Sequence, residues 1–139
     1  MKNSITIKLP LRISLGAIKR GGKAGKEKLY TMSMNNYAIS HRFTNHKAKQ
    51  ISKEIIAEQV KGIKPIRGGY TTHLTIYFAN KTKRDPKNFS ALIYKFGLDA
   101  LQELDLIDED DFYHDLAGQE EYELIDGKYS YAVLEIKKV

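Results

Sequence analysis

Apolar and polar residues alternate over Ser4-Ile5-Thr6-Ile7-Lys8-Leu9, a period of two that predicts a strand ended by Pro10. Gly16 to Lys28 has little to bury and reads as a glycine-rich, basic, mobile loop. From Thr44 to Lys61 the period changes. Ala48, Ile51, Ile55, Ile56 and Val60 recur at helical spacing, with Thr44 or Asn45 able to cap the start and Gly62 able to end it. Alternation returns at Leu74, Ile76 and Phe78, predicting a strand over Tyr70–Ala79. A second helix is predicted from about Phe89 to Leu104, its apolar stripe carried by Phe89, Leu92, Ile93, Phe96, Ala100, Leu101 and Leu104. An acidic connector, Asp105 to Asp115, leads towards a short strand at Phe112–Leu116. Tyr122–Ile125 and Tyr129–Ile136 then flank Asp126-Gly127, a favoured two-residue hairpin turn. This order predicts an α+β fold, one domain over residues 1–139, with two main helices packed on one face of a small mixed sheet.

Composition adds less than the placement of charge. The 139 residues contain no cysteine, which excludes a disulfide scaffold, a zinc–thiolate site and a cysteine nucleophile. Met1 to Pro10 lacks the continuous apolar stretch of a signal peptide, and no segment approaches the roughly 20 apolar residues that span a bilayer. The expected compartment is the cytosol. The formal net charge of +6 conceals a split: residues 1–84 hold 18 Lys and Arg against three Glu, and residues 85–139 hold five Lys against 14 Asp and Glu. A basic half suits a polyanion such as nucleic acid, and clustered acids can hold a divalent metal. Two solvated faces of opposite sign would give the same composition.

The glycine loop fails as a nucleotide-binding loop. Arg20 stands where the first Gly of a Walker motif belongs, Glu27 stands where the hydroxyl belongs, and no strand leads directly into it. Lys19, Arg20, Lys23, Lys26 and Lys28 instead suit DNA backbone contacts, and Arg42, Lys47 and Arg84 extend the same basic surface. His41, His46, His73 and His114 show no metal-ligand spacing and read as structural or surface residues. No Gly-x-Ser-x-Gly elbow supports acyl transfer. The informative acids are Asp85, between strand and helix, and Asp108, Asp110 and Asp111, just after the helix. Their convergence would offer the hard oxygens that Mg²⁺ takes, although such runs are also ordinary solvated loops.

Arg84-Asp85-Pro86-Lys87-Asn88, a helix carrying Lys95 four residues before Asp99-Ala100-Leu101, and then Asp110-Asp111 together resemble the motif of the RusA family of Holliday junction resolvases. Thr31 to Tyr37, leading into a basic helix, resembles a further family segment, with Ala38 where an Arg is common. The resemblance implies a RusA-like fold and a homodimer that binds four-way DNA junctions and makes paired Mg²⁺-dependent nicks. By position it implies Asp85 and Asp111 as metal-binding catalytic acids, with Asp110 as a further ligand. It implies Lys95 at the scissile phosphate, and Asn88 and Asp99 as motif positions. One departure matters: Lys87 stands where the family has a second metal-binding Asp. A cation there removes a ligand and adds repulsion, unless Asp108 or Asp110 compensates. The alternative is therefore a junction-binding protein of the same fold with impaired cleavage, and a third reading is a basic domain for another nucleic acid or a protein partner.

Overall fold

A computed structural model describes residues 3–17, 27–80, 84–109, 111 and 114–139. In chain order its elements are β1 (Ser4–Pro10), β2 (Arg12–Ala17), β3 (Glu27–Thr31), α1 (Met34–Ile39), α2 (Arg42–Gln59), β4 (Tyr70–Phe78), α3 (Pro86–Glu103), β5 (Asp115–Leu124) and β6 (Tyr131–Lys138). The four-stranded sheet has the order β1-β6-β4-β5, and β2 and β3 form a separate antiparallel pair. β6 runs antiparallel to both neighbours, while β4 and β5 are parallel, so the sheet is mixed and the fold is α+β.

Alternation decides which sheet face is buried. Ile5, Ile7 and Leu9 of β1 pair with Ile136, Leu134 and Ala132 of β6, and Leu74 and Ile76 of β4 meet the other edge of β6. All of these are at most 1% exposed. They pack beneath Ile56 of α2 and Leu92, Ile93 and Phe96 of α3 in one core. α3 approaches so closely that a Cβ on Gly97 would lie 3.2 Å from the Leu134 side chain, leaving room only for glycine unless Leu134 gives way.

Three local expectations fail for identifiable reasons. The C-terminal hairpin does not form: β5 and β6 flank β4 instead of pairing with each other. β6 alternates apolar residues that need cover from both sides, whereas β5 is exposed almost throughout and suits an edge. Residues 125–130 cross the end of β4, held by Ile125 N donating to Phe78 O (2.9 Å) and Ala79 N donating to Ser130 Oγ (2.9 Å). Asp126-Gly127 is therefore part of a crossing; the short strand expected at Phe112–Leu116 is the start of the longer β5, described from Asp115, and Phe112 lies outside the described residues. The expected loop over 16–28 is strand at both ends, 16–17 closing β2 and 27–28 opening β3, while residues 18–26 lie outside the described residues; Leu11, Ile13 and Leu15 continue the burial through β2, and β3 returns with Tyr30 buried. Finally, α2 starts earlier than expected, because His41 Nδ1 accepts from Phe43 N (3.2 Å) and caps it. Asn45 does other work, accepting from Tyr30 Oη (2.7 Å) and donating to Tyr37 O (2.9 Å). Gly62 follows α2 with a left-handed φ of +73°, as the sequence suggests. Among the described residues no helix is long and apolar enough to cross a membrane.

Candidate functional site

α3 fixes the geometry of the acidic residues, because the candidates lie at its two ends. At its start, Asp85 is the N-cap: its Oδ1 accepts from Lys87 N (3.1 Å), and Pro86 opens the first turn, where its missing N–H costs nothing. Asn88 Oδ1 accepts from Asn35 N (2.9 Å) and ties α1 to this end of α3. Arg84 lies over the Phe78 ring, 4.7 Å from its centroid, and hydrogen-bonds Asn80. Tyr122 of β5 reaches the same end. Burial and the bond to Glu120 push its hydroxyl up to about 12, and the Asp85 charge contributes to the rise. Lys87 is exposed and forms no ion pair among the described residues.

Beyond the other end of α3 the chain turns sharply at Asp105, whose φ is +60°. Arg67 fixes this turn, its Nη1 lying 2.9 Å from both Asp105 Oδ1 and Asp108 Oδ1. Asp108 also accepts from Gly68 N (2.9 Å). That amide first, and Arg67 second, hold its carboxyl below the usual range. Asp108 is thereby engaged as a structural acid. Next to it, Glu109, Asp111 and His114 each offer a ligand atom, all within 4.8 Å of one another. His114 Nδ1 lies 2.6 Å from Asp111 Oδ1, and that carboxylate raises the imidazole pKa. Asp111 also raises the pKa of Glu109, because two carboxyls this close resist a second negative charge. Tyr70 anchors the segment, its Oη donating to Glu109 O (2.9 Å) and its N to His114 O (2.7 Å).

No protein-family model matches this chain, and no curated protein matches it either.

Asp85 and Asp111 do not meet within one chain. Asp85 stands at the Phe78 end of β4 and Asp111 at the Tyr70 end, and the eight steps between those residues cover roughly 26 Å at about 3.3 Å each. Lys95 joins neither acid; it projects from mid-helix towards Tyr37, 5.7 Å from the ring centroid. Asp99 pairs with Lys49 (3.1 Å) and clamps α3 to α2, helped by Lys53 on Glu103 (3.1 Å). Of the basic candidates, Lys28 is the second residue of β3, and Arg42 and Lys47 lie exposed on the first turns of α2. Lys19, Arg20, Lys23, Lys26 and Asp110 lie outside the described residues.

The sequence reading missed Glu109 and His114. Asp111 and His114 are three apart, the only available signal. It becomes meaningful through a turn in which His114 N donates to Asp111 O (3.1 Å). Two carboxylates and one imidazole suit a divalent cation: the carboxylates suit Mg²⁺ or Mn²⁺, and the imidazole suits Fe²⁺ or Zn²⁺.

Proposed function

We propose that this chain is a metal-dependent endonuclease for branched DNA, acting on four-way junctions as a homodimer, in the manner of the RusA family it resembles. The observation that carries the reading is the Glu109–Asp111–His114 cluster, because it contains the motif acid expected to hold metal. Glu109, Asp111 and His114 would hold a divalent cation, which would supply activation of a water and stabilisation of the leaving oxygen in phosphodiester hydrolysis. The chain's own contribution is placement: Tyr70 and Arg67 fix the backbone on either side of the ligand atoms. Mg²⁺ or Mn²⁺ is the proposed metal.

The separation of Asp85 from Asp111 makes the dimer part of the chemistry. Among the described residues β5 forms hydrogen bonds to a strand on one side only, and it is exposed almost throughout. Pairing of β5 with its copy in antiparallel fashion puts the start of one strand beside the end of the other. Asp111 of one protomer then approaches the partner's Asp85, so each site draws acids from two chains.

A second reading, a junction-binding protein with weak cleavage, is favoured by one observation: Asp85 already caps α3 and its neighbour Lys87 is a cation. A synthetic four-way junction separates the two. The nuclease reading expects paired nicks that need Mg²⁺ or Mn²⁺ and stop on chelation; tight binding without nicks in either metal selects the second reading, and no preference for junction over linear duplex defeats both.

A further inference from the structure

The geometry points to a phosphate-binding pocket on the helical layer, away from both acidic ends of α3. Arg42, His46 and Lys49 of α2 and Lys95 of α3 converge on it, with Tyr37 and Phe96 as its aromatic wall. Its volume is about 230 Å³, and among the described residues no acidic side chain lines it.

Like charges gathered without a counter-charge repel one another, and several cations elsewhere on the surface are paired. Lys53 meets Glu103, Lys61 meets Glu58, Lys137 meets Glu135 and Arg67 meets two aspartates. Among the described residues, the pocket's one ion-paired cation is Lys49, held by Asp99 at 3.1 Å and Glu103 at 3.6 Å. Arg42 and Lys95 reach aromatic rings instead, at 5.1 Å from the Phe43 centroid and 5.7 Å from that of Tyr37. The frame is built before any ligand arrives. Asn45, also lining the pocket, bonds Tyr30 Oη and the Tyr37 carbonyl and so fixes α1 against α2. The T-shaped Tyr37–Phe96 contact, at 6.2 Å, fixes α1 against α3.

The chemistry of the lining selects the ligand. A guanidinium fork, two ammonium groups and an imidazole form charge-assisted hydrogen bonds best with the oxygens of a phosphate. The volume lies below the roughly 300 Å³ at which sites for whole small molecules begin, so the pocket takes one phosphate group of a larger molecule. Tyr37 offers an aromatic face for the attached nucleotide. Lys95 is ten residues from Asp85, roughly 15 Å along α3, so this phosphate is not one held at the acidic ends. It anchors a strand of nucleic acid through either a backbone diester or a terminal monoester. The inference rests on the nucleic-acid part of the proposed function and not on cleavage.

The test uses the whole chain in EDTA, where no cutting occurs. Titration with inorganic phosphate should shift the backbone amide NMR signals of Tyr37, His46 and Lys95, with little change at Gly118 and Tyr122. Arg42→Gln and Lys95→Gln should each weaken binding of a single-stranded oligothymidylate about tenfold and lower the slope of log affinity against log salt by about one unit. Lys61→Gln and Lys128→Gln, which remove the same charge from exposed positions outside the pocket, should change affinity less than about twofold. A 5′-phosphorylated oligonucleotide that outcompetes its 5′-hydroxyl twin identifies the terminal monoester; equal affinity identifies the backbone diester. The pocket is refuted if phosphate leaves those amides unmoved, or if the remote variants weaken binding as much as Arg42→Gln and Lys95→Gln. Loss of cleavage alone would bear on the nuclease reading and not on this pocket.

Discussion

The two ends of α3 hold the same residue type for different purposes. At the start, one carboxylate faces a ring of orphan amides, and Asp85 satisfies one of them as the N-cap. At the exit, carboxylates face one another. Arg67 compensates Asp105 and Asp108, while Glu109 and Asp111 have raised pKa values at Glu109 and His114 to show for their proximity. Asp85 is thus stabilised by the protein itself, whereas the exit cluster holds negative charge that a cation would relieve. A carboxylate's identity in the sequence does not separate these roles; its neighbours do.

The largest expected effect comes from the exit. Asp111→Asn should reduce metal-dependent cleavage by about 100-fold or more, since bound metal contributes several kcal/mol at about 1.4 kcal/mol per tenfold. Junction binding in EDTA should stay near wild type, and Mn²⁺ titration followed by NMR line broadening should no longer single out His114. Cleavage undiminished by Asp111→Asn would remove the exit from the chemistry.

Next in size is Lys87→Asp. This change replaces an exposed cation near Asp85 with a hard oxygen ligand, and should raise single-turnover cleavage roughly tenfold at limiting Mg²⁺. Equal or lower cleavage at every Mg²⁺ concentration would show that Lys87 does not impair the site.

Asp85 is best probed with two variants. Asp85→Ala should cost about 1 kcal/mol of stability through loss of the cap, whereas Asp85→Asn keeps a capping oxygen and should cost only a few tenths. Urea unfolding measures both. If Asp85 is only a cap, the Asn form cuts normally; if it also reaches the partner's metal site, the Asn form is stable and inactive.

The smallest effect is acid sensitivity at the α2–α3 clamp. The Lys53 ammonium, and then Lys49, hold the Glu103 carboxyl below its usual value. A depressed carboxyl stabilises the fold above the unfolded-state pKa and loses that contribution as pH falls through the folded one. Unfolding stability of Glu103→Gln should therefore fall less between about pH 5 and pH 3 than that of wild type. Parallel acid profiles would show that the clamp adds nothing measurable, as holds for many exposed pairs.

Much of the fold was legible because periodicity and burial coincide. Leu74, Ile76 and Phe78 announce β4, and the stripe from Phe89 to Leu104 announces most of α3. The C-terminal order was misread because Asp126-Gly127 is a strong local signal, while the insertion of β6 between β1 and β4 depends on cover that only the assembled sheet supplies. α1 was invisible for a different reason: six residues contain too little pattern, and Ser33 and Asn36 hold it through local hydrogen bonds. At the candidate site, the acid-rich exit was plain from composition. The recruitment of His114, the engagement of Asp108 by Arg67 and the distance between Asp85 and Asp111 all depend on how Tyr70 and α3 set the two ends apart.

Mixed dimers test that distance most directly. Asp85→Asn and Asp111→Asn chains are each unfolded, refolded alone or together, and assayed on a four-way junction with Mn²⁺ beside wild type. A site shared between protomers predicts that each variant alone is inactive and that the mixture regains nicking, because one of the two sites in a mixed dimer then has both acids. A mixture as inactive as its components, beside a wild type that cuts, would contradict the shared site.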